Sequence, residues 1–136
     1  MIDVENMVVD AVAKAVKTQY PNATIKSEKQ DVPSSFPFVS ITEEDNTSYR
    51  KTQDDVSKEH HAEVMYEVNV YSNLESGKKS EAKSIFSIVD ETLQSIKFTR
   101  TTKLPINKDS TIYRIVGRYE AVIAEDNNGI YQVYRE

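Results

Sequence analysis

Apolar and polar positions alternate from Val64 to Tyr71. Val64, Tyr66, Val68 and Val70 fall on one side of an extended chain, and Met65, Glu67, Asn69 and Tyr71 fall on the other. A two-residue period of this kind predicts a strand, here with partners or aromatic cover on both faces. The period then lengthens. Ala82, Ile85, Phe86, Val89, Leu93 and Ile96 recur at three- and four-residue steps, which predicts a helix whose apolar stripe, about 100° wide, lies on the sheet. After Pro105 the strand pattern returns over Thr111 to Glu125, then breaks at Asp126-Asn127-Asn128-Gly129 before a last run from Ile130 to Tyr134. Asn-Gly between two β runs predicts a hairpin, because both residues tolerate the positive φ of a tight reversal.

The first half is punctuated differently. Val4, Met7, Val8, Ala11, Val12 and Ala15 keep helical spacing, Asp3 stands where an N-cap is expected, and Pro21 stops the pattern, so the first helix is drawn over residues 3–19. A short β run at Ala23 to Glu28 and a loop holding Pro33, Ser34, Ser35 and Pro37 lead into a strand from Phe38 to Thr42. From Glu43 to Glu59 the chain is polar, with only Tyr49 and Val56 apolar. A stretch that long between two strands reads either as a hairpin arm that orders against a partner or as a solvated loop. The expected fold class is α+β: a mostly antiparallel twisted sheet with two helices packed on one face, order α-β-β-β-α-β-β, with a long polar hairpin arm. Residues 1–136 are read as a single domain, with the arm at about 43–59.

Composition narrows the function classes. A chain of 136 residues without cysteine rests on apolar packing and fits a reducing cytoplasm. Residues 1–20 carry Asp3, Glu5 and Asp10, unlike a basic segment followed by an apolar signal core, and no stretch has the length of a membrane span. A net charge of −5 argues against a general nucleic-acid binder, which presents excess Lys and Arg to phosphates. Eight Tyr and four Phe with no Trp supply amphipathic rings suited to protein interfaces or to ordinary strand packing.

Candidate chemistry is sparse. His60 and His61 are the two histidines, and neighbours in a strand point to opposite faces, so they do not chelate one metal together. Neither Glu43-Glu44-Asp45 nor Asp54-Asp55 has the alternating oxygen ligands around a glycine of a calcium loop. Ser76-Gly77-Lys78-Lys79-Ser80 lacks the first glycine of a phosphate loop and reads as helix initiation. No serine sits in a nucleophile elbow, and neither histidine has a nucleophile or orienting acid at a known spacing. The expectation is a non-enzyme with no catalytic residue, no metal and no cofactor.

Several runs together point to a family. Tyr66-Glu-Val-Asn-Val-Tyr-Ser-Asn73, Gly77-Lys78-Lys79-Ser80-Glu81-Ala82 and Ile88-Val89-Asp90 are followed by Phe98-Thr99-Arg100, Pro105-Ile106 and Ile112 to Tyr119. With Phe36 to Ile41 and Asp45-Asn46 upstream, the chain resembles, over nearly its whole length, the tail-terminator or tail-completion proteins of long-tailed bacteriophages and related tail-like particles. The resemblance implies a structural subunit, assembled in the bacterial host cytoplasm, that forms a ring, typically a hexamer, at the head-proximal end of the virion tail. Such a ring ends growth of the tail tube and offers an attachment surface to the neck. The implied partners are further copies of the chain, the tube protein and a neck or connector protein, with DNA passing through the lumen without specific binding and no membrane involved.

A closed ring needs two unlike surfaces on each subunit. The arm and the hairpin are the candidates, with Tyr49, Arg50, Lys51, Asp54 and Asp55 on the first and Asn127 and Asn128 on the second. An aromatic flanked by cations suits an interface anchor. Arg100, Arg114 and Arg118 are expected to pair with carboxylates, either across an interface or within the sheet. Two other readings stay open: a head-tail connector or neck component, and a soluble module that adds a peptide strand to a sheet edge.

Overall fold

The computed structural model describes residues 1–48, 61–106, 110–125 and 131–133. Helix α1 (Glu5–Gln19) leads to strands β1 (Thr24–Lys26), β2 (Phe38–Ser48) and β3 (His61–Ser72). Helix α2 (Lys78–Ser95) follows, then β4 (Thr99–Pro105), β5 (Tyr113–Glu125) and β6 (Tyr131–Val133). The strands form one sheet in the order β1-β2-β3-β5-β4, with β6 also paired to β5. Among the described residues only β1 and β2 run parallel; the other pairs are antiparallel. This is the α+β class that the sequence predicts.

Both helices lie on one face because their apolar stripes match the alternation of the strands. Val8, Val12 and Val16 of α1 and Ala82, Ile85, Phe86, Val89 and Leu93 of α2 are buried against Val39, Ile41, Val64, Tyr66, Val68, Val70, Ile115, Tyr119 and Ile123. Tyr66 and Tyr119 sit directly opposite each other on β3 and β5, both fully buried. Cross-strand aromatic pairs of this kind contribute roughly 0.2–1 kcal/mol beyond a pair of alanines. Gly117 on β5 lets α2 come close: a Cβ there would stand 2.6 Å from Phe86 Cζ. The second face of β3 is also covered, as the sequence predicts. Tyr71 packs with Phe38 and Ile112, and Glu67 and Asn69 are buried.

The helix ends differ in detail from the expected ones. Val4 occupies the N-cap position of α1 without a side-chain cap. Asp3 Oδ1 instead accepts the Glu5 N–H at 3.1 Å from one residue further out. Gly77, at φ 90°, holds the N-cap of α2, so the run from Ser76 to Ser80 does initiate a helix. At the other end Lys97 takes φ 73°. Its N–H bonds to Gln94 O at 2.9 Å, and the Phe98 N–H bonds to Leu93 O at 2.9 Å. Those two bonds are the Schellman closure, which turns the chain into β4.

Two sequence boundaries are corrected. Glu43 to Ser48, expected at the root of a polar arm, belong to β2 and pair with Tyr66 to Ala62 of β3, with an irregularity between Glu43 and Asp45. Ladder bonds come from the backbone, so a polar run extends a strand as well as an apolar one. Strand β4 has no counterpart in the sequence reading; it pairs with β5 from Thr99↔Glu120 to Pro105↔Ile115.

Candidate functional site

Of the residues singled out for an interface, Tyr49, Arg50, Lys51, Asp54, Asp55, Asn127 and Asn128 lie outside the described residues. Arg100 lies within them. From β4 its Nη1 donates to Asp90 Oδ1 of α2 at 2.9 Å. The same carboxylate oxygen accepts the Tyr119 hydroxyl at 2.6 Å. Burial, followed by the hydrogen bond to Asp90, holds the Tyr119 phenol well above its ordinary range, so it stays a donor. Beside this clasp Lys103 sits 5.4 Å from the centroid of the Phe86 ring, and both border a shallow recess of about 190 Å³. The Arg100 ion pair therefore lies within the subunit.

Arg114 and Arg118 share the sheet face away from the helices. Arg114 finds an amide rather than the expected carboxylate: its Nε and Nη2 donate to Asn69 Oδ1 at 2.8 and 2.6 Å, and its guanidinium lies 5.5 Å from the Tyr71 ring centroid. Arg118 stands opposite Glu67 in the ladder. Next to it, Lys29 from the β1–β2 connection donates to Glu44 and approaches Glu67 Oε2 at 3.1 Å. Burial alone would raise the Glu67 carboxyl. Its contacts with Glu44 and Lys29, together with the charges of Lys29 and Arg118, hold it below the ordinary carboxylate value. The hydrogen bond to Glu44 and the charge of Glu67 raise Lys29 against a smaller burial penalty. Charges matched in this way fasten the β1–β2 connection across the sheet face, and Tyr71 adds a hydrogen bond from its hydroxyl to Gln30 O at 3.1 Å.

Among the described residues no three of His, Asp and Glu come together as a metal cage, and no helix is long and apolar enough to cross a membrane. A recess of about 420 Å³ lies between the end of α1, Phe36-Pro37 and Glu81. It is open, and the recess residues comprise one acid and no base, an arrangement that gives neither an acid–base pair nor an activated nucleophile.

Sequence reasoning named a sheet edge as a docking surface without saying which strands form it, and the structure supplies them. Strand β4 pairs with β5 on one side, and all its residues except Thr102 are exposed. At its end Leu104 and Ile106 are 51% and 39% exposed. At the opposite side β1 covers β2 only from Phe38 to Ser40. The sequence carried a signal for the first edge: Lys and Pro on an otherwise threonine-rich run are the residues that blunt edge strands.

No protein-family model matches the chain, and no curated protein matches it. Among solved structures, one chain with no functional description is similar over 97% of this chain and 96% of its own, at 10% identity and a TM-score of 0.46. The gp17 protein of bacteriophage SPP1 is similar over 90% of this chain and 91% of its own, at 18% identity and a TM-score of 0.40.

Proposed function

We propose that this chain is a structural subunit of a bacteriophage tail or tail-like particle, a tail terminator that closes as a ring on the head-proximal end of the tail tube. In that role it ends tube elongation and presents a surface to the neck, while DNA passes through the lumen without specific contacts. It acts with further copies of itself, the tube protein and a neck protein, in the host cytoplasm and then in the virion. No catalysis and no cofactor belong to this role.

The observation that carries the reading is a single open sheet that, among the described residues, ends on two unlike edges, one at β4 and one at the outer half of β2. A heterologous contact repeated by rotation needs such a pair of unlike surfaces. The family resemblance adds the particular ring. Its residues lie in or beside β2, β3, α2, β4 and β5.

Two other readings use the same edges. A neck component would also close a ring, and its position in the particle separates it from a terminator. A peptide-binding module would stay monomeric and add an extended ligand to β4. Light scattering over a concentration series, with negative-stain images, tests the proposal. Six copies of the 15.5 kDa chain give a closed ring of about 93 kDa. A monomer at all concentrations, and in the presence of tail tubes, overturns it.

A further inference from the structure

We infer that copies of this chain join edge to edge through the sheet, with β4 of one copy lying antiparallel to the outer half of β2 in the next. The inference rests on the ring reading and names the strands that close the ring.

Three observations converge on this pairing. The first is backbone supply. Beyond Ser40, β2 has no strand on its outer side among the described residues, and β4 has none beyond β5. Each edge therefore presents a row of ladder groups, which template a further strand.

The second is charge. Ile41 to Ser48 holds Glu43, Glu44 and Asp45 and no cation, whereas Thr99 to Ile106 holds Arg100 and Lys103 and no acid. Pairing β4 with β4 of another copy would set cations against cations and close a dimer. Pairing β4 with β2 sets opposite charges together and leaves an edge free at each end.

The third is direction and level. Strand β2 runs against β3, β3 against β5 and β5 against β4, so β2 and β4 of one copy point opposite ways. A rotation about an axis along the strands brings β4 antiparallel to β2 of the next copy without turning the sheet over. The registers also form rows: Arg100, Tyr119, Tyr66 and Glu43 make one, and Thr99, Glu120, Met65 and Asp45 make the next. Continued without shear, the first row carries Arg100 of one copy to Glu43 of its neighbour, both on the helix side, and the joint runs as far as Lys103 beside Ile41, because the next row of β2, at Ser40, is taken by β1. The second brings Thr99 beside Asp45. The helices then lie on one wall of the ring, and the face holding Lys29, Glu67 and Arg114 forms the other.

The chain has no cysteine, so an introduced thiol is unique. Thr47→Cys and Thr99→Cys fall on the two edges at exposed positions, and Lys14→Cys on α1 serves as a collisional control. Each variant is checked for native circular dichroism, then treated with a short bis-maleimide, alone and in mixtures, while native mass is followed by light scattering. The expected result is cross-linking in the Thr47→Cys plus Thr99→Cys mixture at least tenfold above either variant alone or any mixture with Lys14→Cys. The double variant should give a ladder that stops at the ring number. Rings without the mixed cross-link overturn the edge pairing and leave the ring reading standing. Cross-linking of Thr99→Cys with itself overturns the pairing in favour of a β4–β4 dimer. A monomer without cross-links, with or without tail tubes, overturns both.

Discussion

At the scale of single residues, charge is the least legible feature of this sequence, because a side chain's partner is fixed only once the chain has folded. Arg100 was expected in an ion pair and has one, yet its acid is Asp90 on the preceding helix, a residue that no spacing rule selects. Arg114 was expected to take a carboxylate and takes Asn69. Lys29 carried no sequence signal and proves central to the Glu44–Glu67 group. That group makes stability depend on pH in a stated direction. Glu67 is held below its ordinary 4.5, so its contribution is present above that value and lost as pH falls through the folded pKa. Lys29 is raised above 10.5, so its contribution is full below that value and lost as pH rises through the folded pKa. In Lys29→Met the two carboxylates lose the cation they share while Arg118 stays opposite Glu67, so Glu67 is held down less firmly and the acid limb becomes shallower. Because the Lys29 side chain is half exposed, solvent screening keeps the expected loss near 1 kcal/mol at pH 7. Urea unfolding at pH 7 and pH 4 checks this: the wild type should lose stability on acidification, and the gap to Lys29→Met should narrow. An equal gap at both pH values would remove the cation from this role.

At the scale of elements, legibility follows burial. Strand β3 and helix α2 show their periods because each packs an apolar face into the core, and the sequence places both within a few residues. Strand β4 is exposed on both faces, so its side chains carry no alternation to detect. The outer half of β2 is a strand by backbone pairing alone. The Lys97 closure of α2 was equally silent, since a left-handed lysine gives no glycine signal. Gly117 is a related case. In the sequence it is a lone glycine inside a strand pattern, a known mark of close backbone approach, and in the fold it is where the Phe86 ring of α2 meets β5. Phe86 is buried and its ring makes the contact, so a new methyl group must displace either the ring, toward the recess it borders, or the helix. Gly117→Ala should therefore strain the α2–sheet contact and cost about 1–3 kcal/mol, as overpacking does. Thermal unfolding measures the loss, and combination with Phe86→Leu should recover part of it. An unshifted midpoint in the single variant would mean that the helix–sheet spacing is set elsewhere.

At the scale of the whole molecule, the sequence conveyed the fold class, and for an assembly surface it offered the arm and the hairpin, whose named residues lie outside the described ones. The described structure adds two sheet edges, which no local pattern reveals because an edge is defined by the strand that is missing beside it. If those edges join through opposite charge, assembly must answer to salt. The screening length falls from about 10 Å at 0.1 M to about 3 Å at 1 M ionic strength, a range that spans the separation of partly exposed side chains on neighbouring strands. The concentration of half-assembly, read from light scattering, should therefore rise several-fold across that range. Asp45→Lys sharpens the test. Asp45 is exposed and stands level with Thr99, next to the row of Arg100, so reversing its charge sets cation near cation across the joint. At low salt this should raise the half-assembly concentration about fivefold, the equivalent of roughly 1 kcal/mol for an exposed pair, and the penalty should fade at 1 M. An apolar joint predicts the opposite on both counts: assembly unchanged or strengthened by salt, and Asp45→Lys silent throughout.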